Sequence, residues 1–232
     1  METFGYLVGV VLPPVALVIF LGGIIYRLAV WWKLPIPKIT IFPAPEPGSG
    51  TFLGVLKATF FFPGLFKGDK ALWTGAWVFH LMLAFIFVGH VRVFTDFPLL
   101  WKALGINADT MSAVTGGAAG ILIMLTLVYL ILRRVTVGRV REITQSGDWT
   151  ALLLILAIIG TGNAMRFHEH FDLMLTRTYF ASLVTFQFAM PPLKGWFLMH
   201  FLLGQLLFMY LPFSKLLHFG GIFFTQTAIQ RR

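Results

Sequence analysis

The chain has 232 residues, of which 58% are hydrophobic and only 12% are charged, about half the charged fraction of a soluble globular domain. It contains no cysteine, which excludes disulfides, thiolate nucleophiles, iron–sulfur ligands and covalently attached c-type haem within this chain. The net charge of +9 is scattered between apolar runs and forms no basic patch, so we expect no nucleic-acid partner. The composition is typical of an integral membrane protein that lies in a lipid bilayer.

Five apolar stretches are long enough to cross a bilayer as helices, which takes about 20 residues each. They cover about residues 6–32, 73–94, 111–132, 149–166 and 195–213. Pro13 and Pro14 should kink the first stretch, and the fourth is the shortest. The sequence therefore predicts one all-α integral membrane domain over residues 1–232, a bundle of five transmembrane helices.

Residues 33–72 are expected to form a cytoplasmic linker between the first two spans. Its first part, KLPIPKITIFPAPEPGSG, is rich in proline and typical of an extended spacer. The next part, FLGVLKATFFFPGLF from Phe52, is interrupted by Lys57 and Pro63. We interpret it as an interfacial or re-entrant segment, because it is too short to span.

The distribution of lysine and arginine predicts the orientation, since cytoplasmic loops are enriched in both. With the N-terminus outside, thirteen of these residues fall on the inner side and five on the outer side. The inner set is Arg27, Lys33, Lys38, Lys57, Lys67, Lys70, Arg133, Arg134, Arg139, Arg141, Lys215, Arg231 and Arg232, and the outer set is Arg92, Lys102, Arg166, Arg177 and Lys194. We therefore predict a multi-pass protein of the cytoplasmic (inner) membrane, with its N-terminus outside and its C-terminus cytoplasmic.

The ionisable residues inside the predicted spans are almost all histidines. His80 and His90 lie on the second span, His200 lies on the fifth, and His218 follows the fifth. An ionisable side chain at membrane depth is costly unless it is paired or ligated. A hydrogen bond between helices would explain one such histidine equally well, but four in two pairs favour ligation.

Helix direction pairs these histidines by depth. The second span runs outward and the fifth inward, so His80 shares the inner depth with His218, and His90 shares the outer depth with His200. The axial separations are roughly 15 Å and 27 Å on straight helices, so tilt or a kink at Pro212 has to absorb the difference. Two imidazoles facing each other across a bundle suit the axial positions of a haem iron, whereas zinc requires four ligands at one point.

The loop over residues 167–194 is long for a bundle connection, and its stretch LTRTYFASLVTFQFAM is expected to form a short helix at the outer surface. His168 and His170 occur there in RFHEHFD, together with Glu169 and Asp172. Such a cluster can bind a metal or relay protons, but it is more often a solvated loop.

Small and polar residues in the spans each leave two interpretations. Gly116 and Gly120, four residues apart, allow close approach of either a macrocycle or another helix. Asn163 and Gln205 are polar at membrane depth and can bond to neighbouring helices or to haem groups.

Several of these stretches resemble a known family. They are FHLMLAFIFVGH (79–90), TGGAAGILIMLTLVYLILRR (115–134), LVTF (183–186) and LPFSKLLH (211–218), which resemble the gamma subunit of respiratory nitrate reductase. The resemblance is stronger still to its relative, the M subunit of the Dsr sulfite-reduction electron-transfer complex. That stronger likeness also includes LPPVALVIFLGGIIYRL (12–28) and HFGGIFF (218–224).

The resemblance implies a five-helix anchor that holds two b-type haems and exchanges electrons with a menaquinone or related quinone pool. It assigns His80 and His218 to the haem on the cytoplasmic side, and His90 and His200 to the outer haem, which is the pairing that helix direction predicts. It also implies a cytoplasmic iron–sulfur partner, either a heterodisulfide-reductase-like subunit or a nitrate-reductase-beta-like subunit. The inner loops, rich in lysine and arginine, are the expected docking surface.

The nitrate reductase branch of the family places its quinol site near the outer haem, with a lysine just before the third span. Thr110 stands at that position here, so the lysine contact does not transfer, whereas Gly89 matches. Arg92, Asp96 and Asp109 are nearby polar alternatives for contact with the quinone.

The leading hypothesis is therefore an electron-transfer subunit of a quinol oxidoreductase complex in a respiratory chain, most similar to the sulfur-metabolism branch. The alternatives are a gamma subunit of nitrate reductase, a non-redox membrane anchor whose histidines join helices, and a histidine-lined transporter. A transporter more often carries aspartate or glutamate inside its spans, and the predicted spans carry none.

Overall fold

The computed structural model describes residues 1–33, 50–169, 171–218 and 220–221, and these residues form helices and turns without a strand. Five helices among them are long and apolar enough to cross a membrane, and we call them the first to fifth spans: Glu2–Lys33, Lys70–Val91, Ala108–Thr136, Ser146–His168 and Gly195–Phe213. The five predicted spans are confirmed as helices, including the short fourth, with ends that differ from the prediction by at most four residues.

The five spans pack side by side in a simple order. The second packs against the third, the third against the fourth, the fourth against the fifth, and the fifth against the first. Consecutive spans run in opposite directions. We call the end of the bundle at which the second span reaches Arg92 the Arg92 end, and the end at which the fourth span begins, beside Asp148, the Asp148 end.

Shorter helices connect the spans. They cover Gly50–Phe61, Pro63–Gly68, Pro98–Leu104, Gly138–Glu142 and Leu173–Val184, and 3-10 turns follow at Leu211–Phe213 and Lys215–Leu217. Leu173–Val184 is the helix expected in the long loop before the fifth span, and we call it the connecting helix. The helix itself is confirmed, while its position at the outer surface stays a prediction.

The second part of the predicted linker is helical but too short to span. It forms two helices, Gly50–Phe61 and Pro63–Gly68, which break at Phe62, where φ is +47°. The indole N–H groups of Trp73 and Trp77 donate to the last two carbonyls of the first of these helices, at 2.8 and 3.0 Å. The segment is therefore tied to the start of the second span. The proline-rich part of the predicted linker, residues 34–49, lies outside the described residues.

The first span contains a π-turn at Leu7–Val11, in which the N–H of Leu12 donates to the carbonyl of Leu7. In that register the next two donors would be the nitrogens of Pro13 and Pro14, which carry no hydrogen. The prolines expected to kink the span therefore lie beside a local π-turn, while the helix continues to Lys33. Two carbonyl groups of the turn are left without a helical donor.

Neighbouring side chains supply those donors. The carbonyl of Val8 accepts a hydrogen bond from Gln205 Nε2 at 2.9 Å, and the carbonyl of Gly9 accepts one from the Tyr179 hydroxyl at 2.7 Å. Inside a membrane no water replaces a missing partner, so such bonds are how prolines become tolerable in a span. They also hold the first span to the fifth span and to the connecting helix.

Small residues bring the third and fourth spans together. Asn163 Nδ2 donates to the carbonyl of Gly120 at 2.9 Å, and the guanidinium of Arg166 lies directly over Gly116. A side chain at either glycine would collide with the fourth span. Helix packing is thus the observed role of this glycine pair, and Asn163, like Gln205, bonds to a neighbouring helix.

The bundle has a narrow core and a wide apolar surface. Ile123, Leu127 and Leu198 are essentially fully buried. Many other large apolar side chains face outward along the spans, such as Val18 at 69% exposure and Val114 at 66%. In water this would be an aggregating surface, but it is expected where the surrounding solvent is lipid.

We expect Tyr179→Phe to destabilise the protein by about 1 kcal/mol, because the Gly9 carbonyl would lose the hydrogen bond from the Tyr179 hydroxyl in a buried place. Unfolding in mixed detergent micelles, followed by circular dichroism, measures the change. Tyr210→Phe is the matched control: the Tyr210 hydroxyl also donates to a backbone carbonyl, that of Gly147, but at an exposed site. Equal losses in the two variants would contradict this account of the π-turn.

Candidate functional site

The structure brings the four predicted haem-ligand histidines together as two pairs, each joining the second span to the fifth span or to the turn that follows it. The ring centres of His80 and His218 are 6.0 Å apart, with their planes nearly perpendicular at 89°. The ring centres of His90 and His200 are 6.1 Å apart, with their planes at 22°. The first pair lies toward the Asp148 end and the second toward the Arg92 end.

All four histidines use the same nitrogen for a backbone contact. His80 Nδ1 lies 2.7 Å from the Ala76 carbonyl oxygen, His90 Nδ1 2.7 Å from that of Ile86, His200 Nδ1 3.0 Å from that of Ile158, and His218 Nδ1 3.2 Å from that of Lys215. A carbonyl oxygen only accepts, so Nδ1 carries the proton in each ring. In the neutral ring the lone pair is then on Nε2, which is the arrangement found in metal-binding histidines.

The spacing of each pair fits one metal ion between two imidazoles. Metal–nitrogen bonds of about 2 Å on opposite sides of an ion place the two ring centres roughly 6 Å apart. Among the described residues, the second and fifth spans are not one of the closely packed helix pairs. The donor set therefore fits two haem groups, each held by two neutral imidazoles. No group of three or more side chains that could hold a metal ion occurs in the described residues.

Aromatic rings surround the pair at the Asp148 end. Phe62 and Phe79 lie edge-on to the His80 imidazole, with ring centres 5.2 and 5.4 Å away. The left-handed backbone of Phe62 is uncommon for a bulky residue. It results from the break before Pro63, and it places this ring beside His80.

The mismatch of axial spacing disappears because the fifth span does not continue to His218. Its α-helix ends at Tyr210, and Leu211–Phe213 forms a 3-10 turn. Ser214 is then extended, and its side chain caps the next turn by accepting from the N–H of Leu216. The chain therefore changes direction before it delivers His218 to His80, so the continuous helix considered for this region is not formed.

A cluster of four charged residues occupies the Arg92 end. Arg92 is 9% exposed and binds Asp96 and Asp109, in each case with a nitrogen–oxygen distance of 2.8 Å. Arg177 of the connecting helix binds the other oxygen of Asp96 at 2.6 Å and donates to the Arg92 carbonyl at 2.8 Å. Hydrogen bonds from Arg92 and then Arg177 hold the pKa of Asp96 below its usual range. We call these residues the arginine cluster: Arg92, Asp96, Asp109 and Arg177.

The arginine cluster lines an open cleft of about 620 Å³ between the second span, the start of the third and the connecting helix. Three of the five residues predicted for quinone contact, Arg92, Asp96 and Asp109, therefore lie together. Gly89 and Thr110 do not line the cleft. Gly89 adjoins His90 and has open space where a side chain would stand, while the Thr110 N–H is capped by Asn107 at the start of the third span.

The acidic residues of RFHEHFD serve as helix caps. Glu169 accepts from the N–H of Phe197 at 3.2 Å, at the start of the fifth span. Asp172 accepts from the N–H of Leu175 at 2.9 Å, at the start of the connecting helix. His168 is exposed, and His170 lies outside the described residues. These contacts favour the interpretation as a loop.

Sequence reasoning missed three residues at this site. Arg177 counted only as an outer positive charge, although it joins the arginine cluster. Gly204 lies one helical turn after His200 on the same face and has no atom within 4 Å of its side-chain position. Thr161 contacts His200 from the fourth span. The one available signal was Gly204, a lone glycine among bulky residues in LLGQLLF.

The four histidines lie in the part of the chain that matches a known protein family. The model of the nitrate reductase gamma subunit family matches residues 65–229, a range that contains all four histidines. The Hdr-like menaquinol oxidoreductase cytochrome b-like subunit of Archaeoglobus fulgidus is 30% identical over 96% of this chain and 79% of that protein. The nitrate reductase gamma chain of Bacillus subtilis is 30% identical over 64% of this chain and 72% of its own. The respiratory nitrate reductase 1 gamma chain of Escherichia coli is 32% identical over 62% and 69%.

We expect Arg177→Gln to raise the pKa of Asp96, because the carboxylate would lose one of the two cations that stabilise its charge. A lowered carboxyl pKa stabilises the fold above the unfolded pKa and ceases to do so as the pH falls through the folded pKa. As the pH is lowered, the Asp96 carboxylate of the variant should therefore become protonated, and lose its remaining ion pair with Arg92, at a higher pH than in the parent. The 13C shift of the Asp96 carboxyl, titrated between about pH 2 and 6, measures it. Arg141→Gln, at the opposite end of the bundle, is the control, and a shift of the same size there would contradict the assignment.

Proposed function

The chain belongs to the nitrate reductase gamma subunit family, and on that premise we propose that it is the membrane-anchoring cytochrome b subunit of a respiratory quinol oxidoreductase complex. In this proposal it passes electrons between a menaquinone or related quinone pool and a cytoplasmic iron–sulfur subunit. The observation that carries the proposal is the two histidine pairs, whose ring centres lie about 6 Å apart. In each ring Nε2 is left for a metal.

We assign one haem b to His80 and His218 and a second to His90 and His200. When bound, each haem supplies a one-electron couple. The chain's own residues hold the imidazoles in the tautomer that exposes Nε2, since each Nδ1–H is engaged by a backbone carbonyl. Such contacts also fix the plane of the ring and raise the basicity of the ligand.

The contacts of the histidines argue against a non-redox anchor in which they only join helices. His80 and His90 bond to carbonyls of their own span, and His218 bonds to Lys215 of its own turn. The hydrogen bonds of these three therefore do not join one span to another, while each ring keeps a second nitrogen directed elsewhere. A purely structural role leaves that arrangement unexplained.

The quinone candidates remain Gly89, Arg92, Asp96, Asp109 and Thr110, and we place the headgroup beside Gly89. The absence of a side chain at Gly89 leaves open space next to His90, which is itself exposed. Of the two carboxylates of the arginine cluster, Asp96 lies soon after Gly89 in the chain, and Asp109 is held near it through Arg92. Asp109 is the more accessible of the two, with 83% of its side chain exposed.

We propose that the Asp148 end faces the cytoplasm, so that the N-terminus lies outside and the protein is in the cytoplasmic membrane. The excess of lysine and arginine on that side supports this orientation. Because the chain has no cysteine, one introduced cysteine and a membrane-impermeant maleimide test it directly. The same cationic surface is where we place the iron–sulfur partner.

For the partner we favour a heterodisulfide-reductase-like subunit of a sulfur-metabolism complex. The relative that is similar over 96% of this chain is named as an Hdr-like subunit, whereas the nitrate reductase gamma chains align over about two thirds of it or slightly less. A nitrate-reductase-beta-like partner is the second candidate. Co-purification with mass spectrometry distinguishes the two.

The purified protein should contain two b haems per chain by the pyridine haemochrome assay, because it offers two bis-imidazole sites. His80→Ala and His218→Ala should each remove one and the same haem, and His90→Ala and His200→Ala should each remove the other. His168→Ala is the matched control, since it changes an exposed histidine at the end of a span, and it should retain both. A colourless parent protein would refute the function, and loss of the same haem from His80→Ala and His90→Ala would refute the pairing.

Gly89→Val should slow reduction of the haems by a menaquinol analogue about tenfold, equivalent to about 1.4 kcal/mol, with haem content unchanged. The reason is that the new side chain enters open space beside His90 and displaces the headgroup without a clash inside the protein. Stopped-flow absorbance of the haem bands gives the rate. Gly22→Val, at a span glycine that also has no atom within 4 Å, should leave the rate at the parental value.

A further inference from the structure

His200 is held differently from the other three histidines. Its Nδ1 lies 3.0 Å from the carbonyl oxygen of Ile158 and 3.2 Å from the hydroxyl oxygen of Thr161. Both acceptors belong to the fourth span, whereas His200 belongs to the fifth. The other three imidazoles contact only carbonyls of their own segment in the hydrogen bonds described above.

The Thr161 hydroxyl oxygen accepts a hydrogen bond from His200 Nδ1–H, because the hydroxyl hydrogen is already donated to a backbone carbonyl. Thr161 Oγ1 lies 2.9 Å from the Ala157 carbonyl oxygen and 3.0 Å from that of Ile158, and these oxygens only accept. The hydroxyl hydrogen therefore points along its own helix, and an oxygen lone pair faces His200 Nδ1. Thr161 is 8% exposed, so water does not compete for this contact.

The next residue of the fourth span, Gly162, shapes the same contact. A side-chain carbon at Gly162 would come within 3.1 Å of His200 Cε1 and 3.4 Å of Nδ1. The bare backbone therefore lets the imidazole lie against the helix. Gly160, two residues earlier, has no atom within 4 Å of its side-chain position and is not part of this surface.

From these contacts we infer that Thr161 and Gly162 are positioning residues for His200, which fix the plane of its ring and tune its basicity as a ligand. The inference rests on the proposed function, in which His200 binds the haem at the Arg92 end. It gives the fourth span, which supplies no proposed ligand, a role in setting the properties of that haem. His90, across the same site, bonds only within the second span, so the two ligands depend on different helices.

The hydroxyl should act on the reduction potential of one haem only. A hydrogen bond from Nδ1–H makes the imidazole a stronger electron donor, which favours the oxidised iron. Thr161→Val removes one of the two acceptors and keeps the shape of the side chain. The haem of the His90–His200 pair should therefore shift to a higher potential, while the haem of the other pair stays unchanged.

The experiment is an optical redox titration of the purified holoprotein, combined with electron paramagnetic resonance of the ferric low-spin signals. The affected haem is identified as the one lost in His90→Ala. Thr161→Ser, which restores the hydroxyl, should return the potential to the parental value. Thr126→Val is the matched control, because Thr126 also bonds to carbonyls of its own helix but contacts no histidine in the hydrogen bonds of the described residues.

Several outcomes overturn the inference while leaving the proposed function intact. One is a Thr161→Val protein with both potentials and both signals unchanged; another is an equal shift in Thr126→Val or in Thr161→Ser. If Thr161→Val instead loses the haem of the His90–His200 pair, retention of that haem in Thr161→Ser supports the inference, and its loss there overturns it. A parent protein without haem would refute the proposed function itself.

Gly162→Ala provides an independent test through shape instead of hydrogen bonding. The added carbon should tilt the His200 ring and change the resonance signal of the same haem, with Gly160→Ala unchanged. Identical signals in the parent and in Gly162→Ala would show that the fourth span does not constrain the ring.

Discussion

A polar group at membrane depth in this bundle depends on the protein for its partner, and the main contacts between the spans follow from that constraint. No water is present in the bilayer core to satisfy an amide or an imidazole. Gln205 and Tyr179 therefore bond to the carbonyls that the two prolines leave without donors, and Asn163 bonds across to the third span. The histidines obey the same constraint with one nitrogen each, which leaves the other nitrogen for a cofactor.

The spans consequently have two roles: some mainly hold their neighbours in place, and two carry the paired imidazoles. The first, third and fourth spans are joined to their neighbours by glycine contacts and by buried amide and hydroxyl groups. The second and fifth spans face each other with paired imidazoles about 6 Å apart. At the two ends, ion pairs fix the flanking segments: the arginine cluster holds the connecting helix, and Lys215 binds Asp148 at 3.1 Å beside the turn that carries His218.

Hydropathy alone predicted the spans, because a bilayer requires long apolar runs and the sequence has few charges to obscure them. The depth of the four histidines was readable for the same reason. The end of the fifth span was anticipated only as a tilt or a kink at Pro212, and Pro212 lies in the 3-10 turn where the α-helix stops. The extended Ser214 and its cap were not anticipated, because such a serine looks ordinary in sequence. Arg177 and Thr161 escaped notice because an arginine in a surface helix and a threonine in a span acquire meaning only from the residue they touch. The quinone candidates stay predictions.

The change of direction at Ser214 has a consequence for biogenesis. Synthesis proceeds from the N-terminus, so the His90–His200 pair is complete once the fifth span has entered the membrane. The His80–His218 pair must wait for the turn that follows, after all five spans have been made. The two sites therefore become competent to receive a cofactor at different times, with the Arg92 end first and the Asp148 end last.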